Sequence, residues 1–524
     1  MIKFLVVLFN TLSNLRLKQL IFQIKYRLNR TIEYKHYSIQ NIGFYYFENS
    51  IDKPKSLLNI DTLNMLNISA SFSSWNYVDN GMLWAYNLNY MDWLNQCGMN
   101  FKEGAKWIDL FINDISKNRV GLDPYPIALR GINWIKFMSR YYSKMSNCQL
   151  EHWCSSLYSQ YRLLEKRLEY HLLGNHLLED AYSLYIASLF FSEEQMYKRY
   201  SELLLNQLDE QILNDGAHYE QSPMYHCILL DRLLDCYNFS TYNLRFEGQD
   251  RINRILCKKA QLMLGHLSSI IYNDHSFPLL NDSAEGIAPL PDQLFEYAKR
   301  LDLDWKPIPL KECGYRKMYS KVFEAIVDVG NIMASYQPGH SHADTFSYEL
   351  RIFGKPFIID TGISTYNKTN RRQYERGTMA HNTVSVNGKN SSEVWGGFRI
   401  GRRAKVTILK DSHNDIEAYH NGFGSSGTHF RRFRITDNCF GIEDSFSGDK
   451  ETISVIHLAP DVEIISYDSS KIITNRGIIE IQDALKVEIV DDEISYTYNC
   501  FNHSKTIHIY FFKHLSYQVK LLVS

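Results

Sequence analysis

Residues 157–216 read LYSQYRLLEKRLEYHLLGNHLLEDAYSLYIASLFFSEEQMYKRYSELLLNQLDEQILNDG, and their spacing decides the fold of the first half of the chain. Leu157, Tyr161, Leu164, Leu168 and Leu172 recur at steps of three and four, one apolar face of a helix, and Gly174 predicts its stop. Ser192 with Gln195 reads as a capping box, after which Tyr197, Tyr200, Leu204, Leu208 and Ile212 mark a second face until Asn214, Asp215 and Gly216 break it. The same period runs from about residue 55 to 300, so the expectation is a helical array; period alone does not separate a bundle from a toroid of helical hairpins.

Moving outward, Pro289, Pro291, Pro307 and Pro309 disfavour further helix, and the segments beyond them become short, β-branched and alternating. Ala404 to Leu409, Thr452 to Leu458, Val462 to Tyr467, Gly477 to Ile481 and Thr506 to Phe512 read as strands between Asp, Asn, Gly and Ser turns. Strands without interleaved helices predict an antiparallel β-sandwich. The expected organisation is an N-terminal amphipathic and basic extension over 1–50, a helical domain over 51–310 and a β-sandwich over 311–524. Within the extension, Leu12 to Leu28 mix apolar residues with Lys and Arg. They predict a helix, packed on its own domain or lying on a membrane surface.

Lys plus Arg number 57 against 58 Asp plus Glu, which leaves no basic footprint for nucleic acid or an anionic bilayer. Any anionic ligand must therefore be met locally. The nine cysteines are scattered without a CxxC pair, so a disulfide scaffold is not expected. The apolar run Phe4 to Phe9 is too short for a signal-peptide core, and no stretch reaches the ~20 apolar residues of a membrane span. The expected location is cytoplasmic or peripheral to a membrane, with the periplasm as the alternative.

Four clusters hold polar residues that a plain core would not request. Gly174-Asn175-His176 lies between the two helices; taken alone, Asn175 is a helix N-cap. Glu220-Gln221-Ser222-Pro223-Met224-Tyr225-His226 leaves a turn and enters a helix at Pro223, which places Tyr225 near a positive helix start. In Gly339-His340-Ser341-His342-Ala343-Asp344, strand alternation would put His340, His342 and Asp344 on one face. Asp360 and His381 complete the fourth cluster, and two His with one carboxylate are a sufficient set for zinc.

Taken in order, these clusters and Arg376-Gly377-Thr378-Met379-Ala380-His381-Asn382-Thr383-Val384 resemble the heparinase II/III family of polysaccharide lyases. Trp84-Ala85-Tyr86-Asn87-Leu88-Asn89-Tyr90, Arg130-Gly131-Ile132-Asn133-Trp134 and Trp395-Gly396-Gly397-Phe398 add to the resemblance. It implies an α+β fold, an N-terminal (α/α) toroid followed by a C-terminal antiparallel β-sandwich, with an anionic polysaccharide in the cleft between them. It also implies roles: Asn175, with His176, contacts the uronate carboxylate, Tyr225 and His340 handle protons, and His342, Asp360 and His381 hold a structural divalent metal, usually zinc.

The chemistry suits these residue types. Removing the C5 proton of a hexuronate makes a carbanion whose adjacent carboxylate must be neutralised by donors, while a base and an acid serve C5 and the leaving O4. Trp84, Tyr86, Asn89, Tyr90 and Trp134 are candidates for sugar contact. Arg130, Arg372, Arg376, Arg399, Arg402 and Arg403 are candidates for carboxylate or sulfate, Arg376 first among them. The extension is unlike that of a secreted catabolic lyase and points to a capsule or exopolysaccharide as substrate. The alternatives are a glycoside hydrolase using two of Glu179, Asp180, Asp215 and Glu220, and a non-catalytic glycan-binding protein.

Overall fold

The computed structural model describes residues 2–522 apart from 29–32, 40–42 and 44. Helices dominate as far as Arg300, and from Tyr315 the chain is largely strand. The helical half is a toroid whose helices include Pro124–Arg140, Asn147–Leu164, Gly174–Phe190, Glu194–Gln211, Pro223–Tyr242 and Gln249–Ile270. Trp134, Trp153, Tyr161, Tyr182 and Tyr185 fill its core with Phe111 and Phe137. Each fully buried Phe or Leu contributes roughly 1.5–3 kcal/mol.

Two helix limits differ from the sequence reading. The first helix stops at Leu164 instead of running to Leu172. Beyond it, Arg167 donates to the Leu122 carbonyl at 2.7 Å and the Glu169 amide donates to Asp180 at 2.9 Å, tertiary bonds that a continued helix would forgo. Gly174 opens the next helix at φ +59°, where a Cβ would stand 2.5 Å from Glu220 Oε1. Ser192 adopts φ 54°, outside the extended backbone that an N-cap requires, so the expected capping box is absent and the helix begins at Glu194. At Pro223 the expectation holds: Pro occupies the first turn, and Ser222 Oγ accepts the Tyr225 amide at 3.1 Å.

The β half stacks two antiparallel sheets. The four-stranded sheet runs Tyr315–Tyr319, Phe323–Asp328, Tyr348–Ile352, Lys355–Ile358, and a ten-stranded sheet includes the long hairpin Ile478–Ile494 and Asn502–Lys520. Phe323, Ala325 and Val327 of the small sheet share one core with Phe433, Ile442, Ile509 and Phe511 of the large one. From the other face of the small sheet, Tyr315 and Ile326 join the toroid core. That sheet is therefore the middle layer, and it fixes how the sandwich faces the helices.

The N-terminal segment forms helices Ile2–Leu12 and Leu17–Leu28. One side of this pair is anchored: Gln19 donates to the Leu172 and Tyr336 carbonyls, Phe22 packs on Tyr170, and Trp395 Nε1 donates to Thr11. The pair thereby touches both domains. Leu5, Val6, Phe9, Leu17, Ile21, Ile24 and Leu28 remain exposed. Among the described residues, no helix is long and apolar enough to cross a membrane.

Candidate active site

Where the toroid meets the sandwich, Tyr225 and His340 stack with ring centroids 3.8 Å apart, one ring from each half. Tyr225 comes from the first turn of its helix. His340 comes from a loop before the strand Tyr348–Ile352; the expected strand over 340–344 does not form. Side-chain bonds to Asp282 set the loop's course in place of a ladder. Asp282 Oδ2 lies 2.9 Å from His340 Nδ1 and Oδ1 lies 2.7 Å from His342 Nε2. The same carboxylate takes a two-pronged bond from Arg372, at 2.5 and 2.7 Å. Burial alone would raise the Asp282 carboxyl, but the Arg372 guanidinium and the bonds from both imidazoles hold it well below the usual range.

With Nδ1 turned to Asp282, His340 presents Nε2 to the toroid, 3.3 Å from Asn175 Nδ2 and 3.5 Å from Glu220 Oε2. Asn175 makes no cap bond; its amide N–H donates to Glu220 Oε1 at 2.9 Å, and its side-chain Oδ1 is buried without a protein partner. Burial raises the Glu220 carboxyl. His176 is half-buried beside these groups, with Nδ1 3.1 Å from Glu169 Oε2 and its ring against Tyr125. Burial opposes its protonation, yet the Glu169 carboxylate outweighs that and raises the imidazole. Burial pushes the Tyr225 hydroxyl up, so the free protein holds a neutral phenol there.

Two residues at this site lie outside the sequence reading: Asp282 and Tyr366 belong to none of the four clusters, whereas Glu220 falls in the second and is given a role there only as a hydrolase carboxylate. Tyr366 donates to Tyr225 Oη at 3.2 Å and stands 3.5 Å from His340 Nδ1. Asn281-Asp282-Ser283, a polar run ending the apolar Leu279-Leu280, was the available signal.

Several expected contacts are overturned by burial. Trp84 and Trp134 are closed inside the toroid, their indole N–H groups directed at the Ile68 carbonyl and Met91 Sδ. Asn89 donates to the Trp75 and Ala85 carbonyls. Arg130 is wholly buried and spends its fork on Gln160 Oε1 and the carbonyls of Asn89 and Gly121, at 2.8–2.9 Å. Arg376, also wholly buried, donates to the Ser341 carbonyl at 2.9 Å and so braces the His340 loop from behind. Tyr90 is packed between Tyr86, which it meets edge-on, and the tilted ring of Tyr125. Tyr86 keeps partial exposure, with its hydroxyl donated to Asp123. Half-buried aromatic surface at the junction instead belongs to Tyr125, Tyr225, Tyr366 and Phe398.

Behind His340, the rings of His342 and His381 lie 5.2 Å apart, and His381 Nδ1 is 2.8 Å from Asp360 Oδ2. His342 Nδ1, His381 Nε2 and Asp344 Oδ2 are buried without partners. Each imidazole bonds a carboxylate through its other nitrogen, as metal-bound imidazoles do. Two imidazole nitrogens and a carboxylate oxygen fit a zinc-like cation. Asp360 oxygens already meet His381 and the Gly362 amide, so the unspent carboxylate oxygen in this cluster is that of Asp344.

A helical toroid set against an antiparallel sandwich, with a Tyr–His pair at their junction, is the architecture of two-domain polysaccharide lyases. The family models for the heparinase II/III N-terminus and the heparinase II/III-like C-terminal region match residues 75–300 and 304–510. The chain belongs to the heparinase II/III family. A heparin-sulfate lyase of Bacteroides stercoris is 26% identical over 255 residues, 43% of this chain and 37% of that protein. One from Pedobacter heparinus is 23% identical over 250 residues, 41% and 36% of the two chains. The matched stretch thus spans little over a third of either relative's length. In fold, the chain is similar to a crystal structure of heparinase III, with TM-score 0.71 at 15% identity over 86% of this chain and 79% of that one. A chondroitin AC lyase of Streptomyces coelicolor A3 gives TM-score 0.51 at 9% identity over 85% and 75%.

Proposed function

We propose that the protein is a polysaccharide lyase that cleaves an anionic, uronate-containing glycan by β-elimination. The observation that carries this reading is the stacked Tyr225–His340 pair, with Asp282 behind the imidazole and Asn175 beside it. Asn175 and His176 would donate to the uronate carboxylate, whose charge grows as the C5–H bond breaks. His340, its Nδ1–H held by Asp282, accepts the C5 proton at Nε2. The C5 electrons form the C4–C5 double bond as C4–O4 breaks, and the neutral Tyr225 phenol protonates the departing O4. When C5–H and O4 lie on one face of the sugar, Tyr225 serves both atoms only as the tyrosinate, which takes the C5 proton and passes it to the departing O4. Tyr366, donating to Tyr225 Oη, would stabilise the tyrosinate left by proton transfer.

His342 and His381, with Asp344 or Asp360, would hold a divalent cation, zinc by donor type. When bound, it would stiffen the loop that presents His340. Glycoside hydrolysis needs two carboxyls flanking the bond; Asp282 is committed to Arg372 and two imidazoles, which leaves Glu220 as the carboxyl beside His340, and a single carboxyl there favours elimination over hydrolysis.

The relatives are heparin-sulfate lyases, and this reading extends to the cell's own capsule or exopolysaccharide as substrate. Support comes from the exposed apolar row Leu17, Ile21, Ile24 and Leu28, flanked by Lys18, Lys25 and Arg27, which suits a protein held at a membrane surface where such glycans emerge. The test is far-ultraviolet absorbance during incubation with a panel of uronate glycans, the host's own included. A rise reports an unsaturated uronate. Chain shortening without a rise would replace elimination with hydrolysis.

A further inference from the structure

Away from the Tyr225–His340 pair, Asp215, His266 and Cys313 offer one ligand atom each, all within 4.8 Å of one another and all three residues buried. Among the described residues this is the one His, Cys or carboxylate trio gathered so tightly. It is assembled from three places: the turn after the helix Glu194–Gln211, the helix Gln249–Ile270, and the linker two residues before the strand Tyr315–Tyr319.

Its atoms have capacity to spare. His266 Nδ1 is buried without a hydrogen-bond partner. Asp215 Oδ2 accepts the amides of Lys311 and Cys313 at 3.0 and 2.8 Å, which draws the linker against the carboxylate. Asp215 Oδ1 takes a longer bond, 3.3 Å from the Ala217 amide, and the Cys313 thiol also hydrogen-bonds to this carboxylate. A buried imidazole nitrogen with nothing to meet is costly, and one beside a thiol and a carboxylate points to a shared ligand.

We propose that Asp215, His266 and Cys313 form a second metal site, selective for a thiophilic divalent cation such as Zn2+ or Co2+ and separate from the His342–His381 cluster. Thiolate, imidazole and carboxylate together match the donor preference of zinc, whereas calcium and magnesium require oxygen sets. Binding replaces the S–H bond of Cys313 with a metal–sulfur bond and releases the proton to solvent. Burial and the neighbouring Asp215 carboxylate keep the metal-free thiol protonated, so uptake carries a proton cost that the ligand bonds must exceed.

The site would act as a clamp on the junction between the halves. The Cys313 carbonyl accepts Gln221 Nε2 at 2.7 Å, and the Gln221 carbonyl accepts the Tyr315 hydroxyl at 2.5 Å. Gln221 lies four residues before Tyr225, so pinning Cys313 to the toroid pins the approach to the catalytic tyrosine.

Cobalt reports this site without interference from the other, which contains no sulfur. Protein produced in cobalt-supplemented medium should show a thiolate-to-cobalt charge-transfer band at one equivalent per chain. Cys313→Ala should abolish the band and lower bound metal by one equivalent, while His342→Ala should keep it. If Cys313→Ala fails to fold, His266→Ala serves in its place with the same expected loss. Wild-type protein without such a band, or a band of unchanged intensity in Cys313→Ala or His266→Ala, would overturn the proposal.

Discussion

The carboxylate of Asp282 stands 2.9 Å from His340 Nδ1, across 58 residues of chain and from the opposite domain. That bond sets which imidazole nitrogen faces the cleft. Asp282→Asn keeps the shape but offers an amide that can donate to Nδ1 and invert the tautomer. Turnover should fall by about 10²–10⁴-fold. The melting temperature should fall too, because Arg372 is left buried without its counter-charge. An unchanged rate with a lowered melting temperature would confine Asp282 to a structural role.

Tyr225→Phe should lower turnover by about 10²-fold or more with glycan affinity nearly intact, since in the proposed mechanism the phenol acts on the proton and not in ground-state binding. Tyr366→Phe, one hydrogen bond further out, should cost about tenfold. Product absorbance gives the rates and calorimetry the affinities; equal effects of the two variants would contradict the assigned order.

His342→Ala should reduce bound metal and lower the melting temperature, because a cation that binds only the folded chain adds its binding energy to stability. Elemental analysis of the purified variant checks the first and a thermal scan the second. Wild-type protein with no metal other than that held by Cys313 would remove the His342 site.

Arg130 tests the corrected reading of the polar residues within the toroid. Lys reaches only part of the Arg130 fork, so Arg130→Lys leaves at least one of Gln160 Oε1, the Asn89 carbonyl and the Gly121 carbonyl unpaired, costing roughly 2–5 kcal/mol. KM of the folded fraction should not move. A raised KM at unchanged stability would return Arg130 to the substrate.

His218 gives the protein a pH dependence of known sign. Burial lowers its imidazole to about 3, and Nε2 meets Gln211 Oε1 at 3.0 Å in the neutral form. The unfolded chain takes up that proton near pH 6.5, the folded chain only near 3, so the contribution is full above about 6.5 and is lost progressively as pH falls toward 3. His218→Gln should flatten the decline in melting temperature between pH 7 and 4.5. A parallel decline in the variant would assign it to other groups.

Sequence alone was enough for what depends on local period and backbone chemistry. Steps of three and four separate the helical half from the alternating half, and Pro223 marks a helix start because its missing N–H is spared there. The order of the Asn175, Tyr225, His340 and His381 motifs carried the family. Tertiary structure decided the partners. Asp282 reaches His340, His342 and Arg372 across 58, 60 and 90 residues, separations at which no spacing rule operates. It also decided exposure: Trp84, Trp134 and Arg130 carry the residue types of a sugar site, yet each is closed off by packing. Residue type sets which bonds a side chain can make; only the folded arrangement sets whether water, a sugar or another side chain makes them.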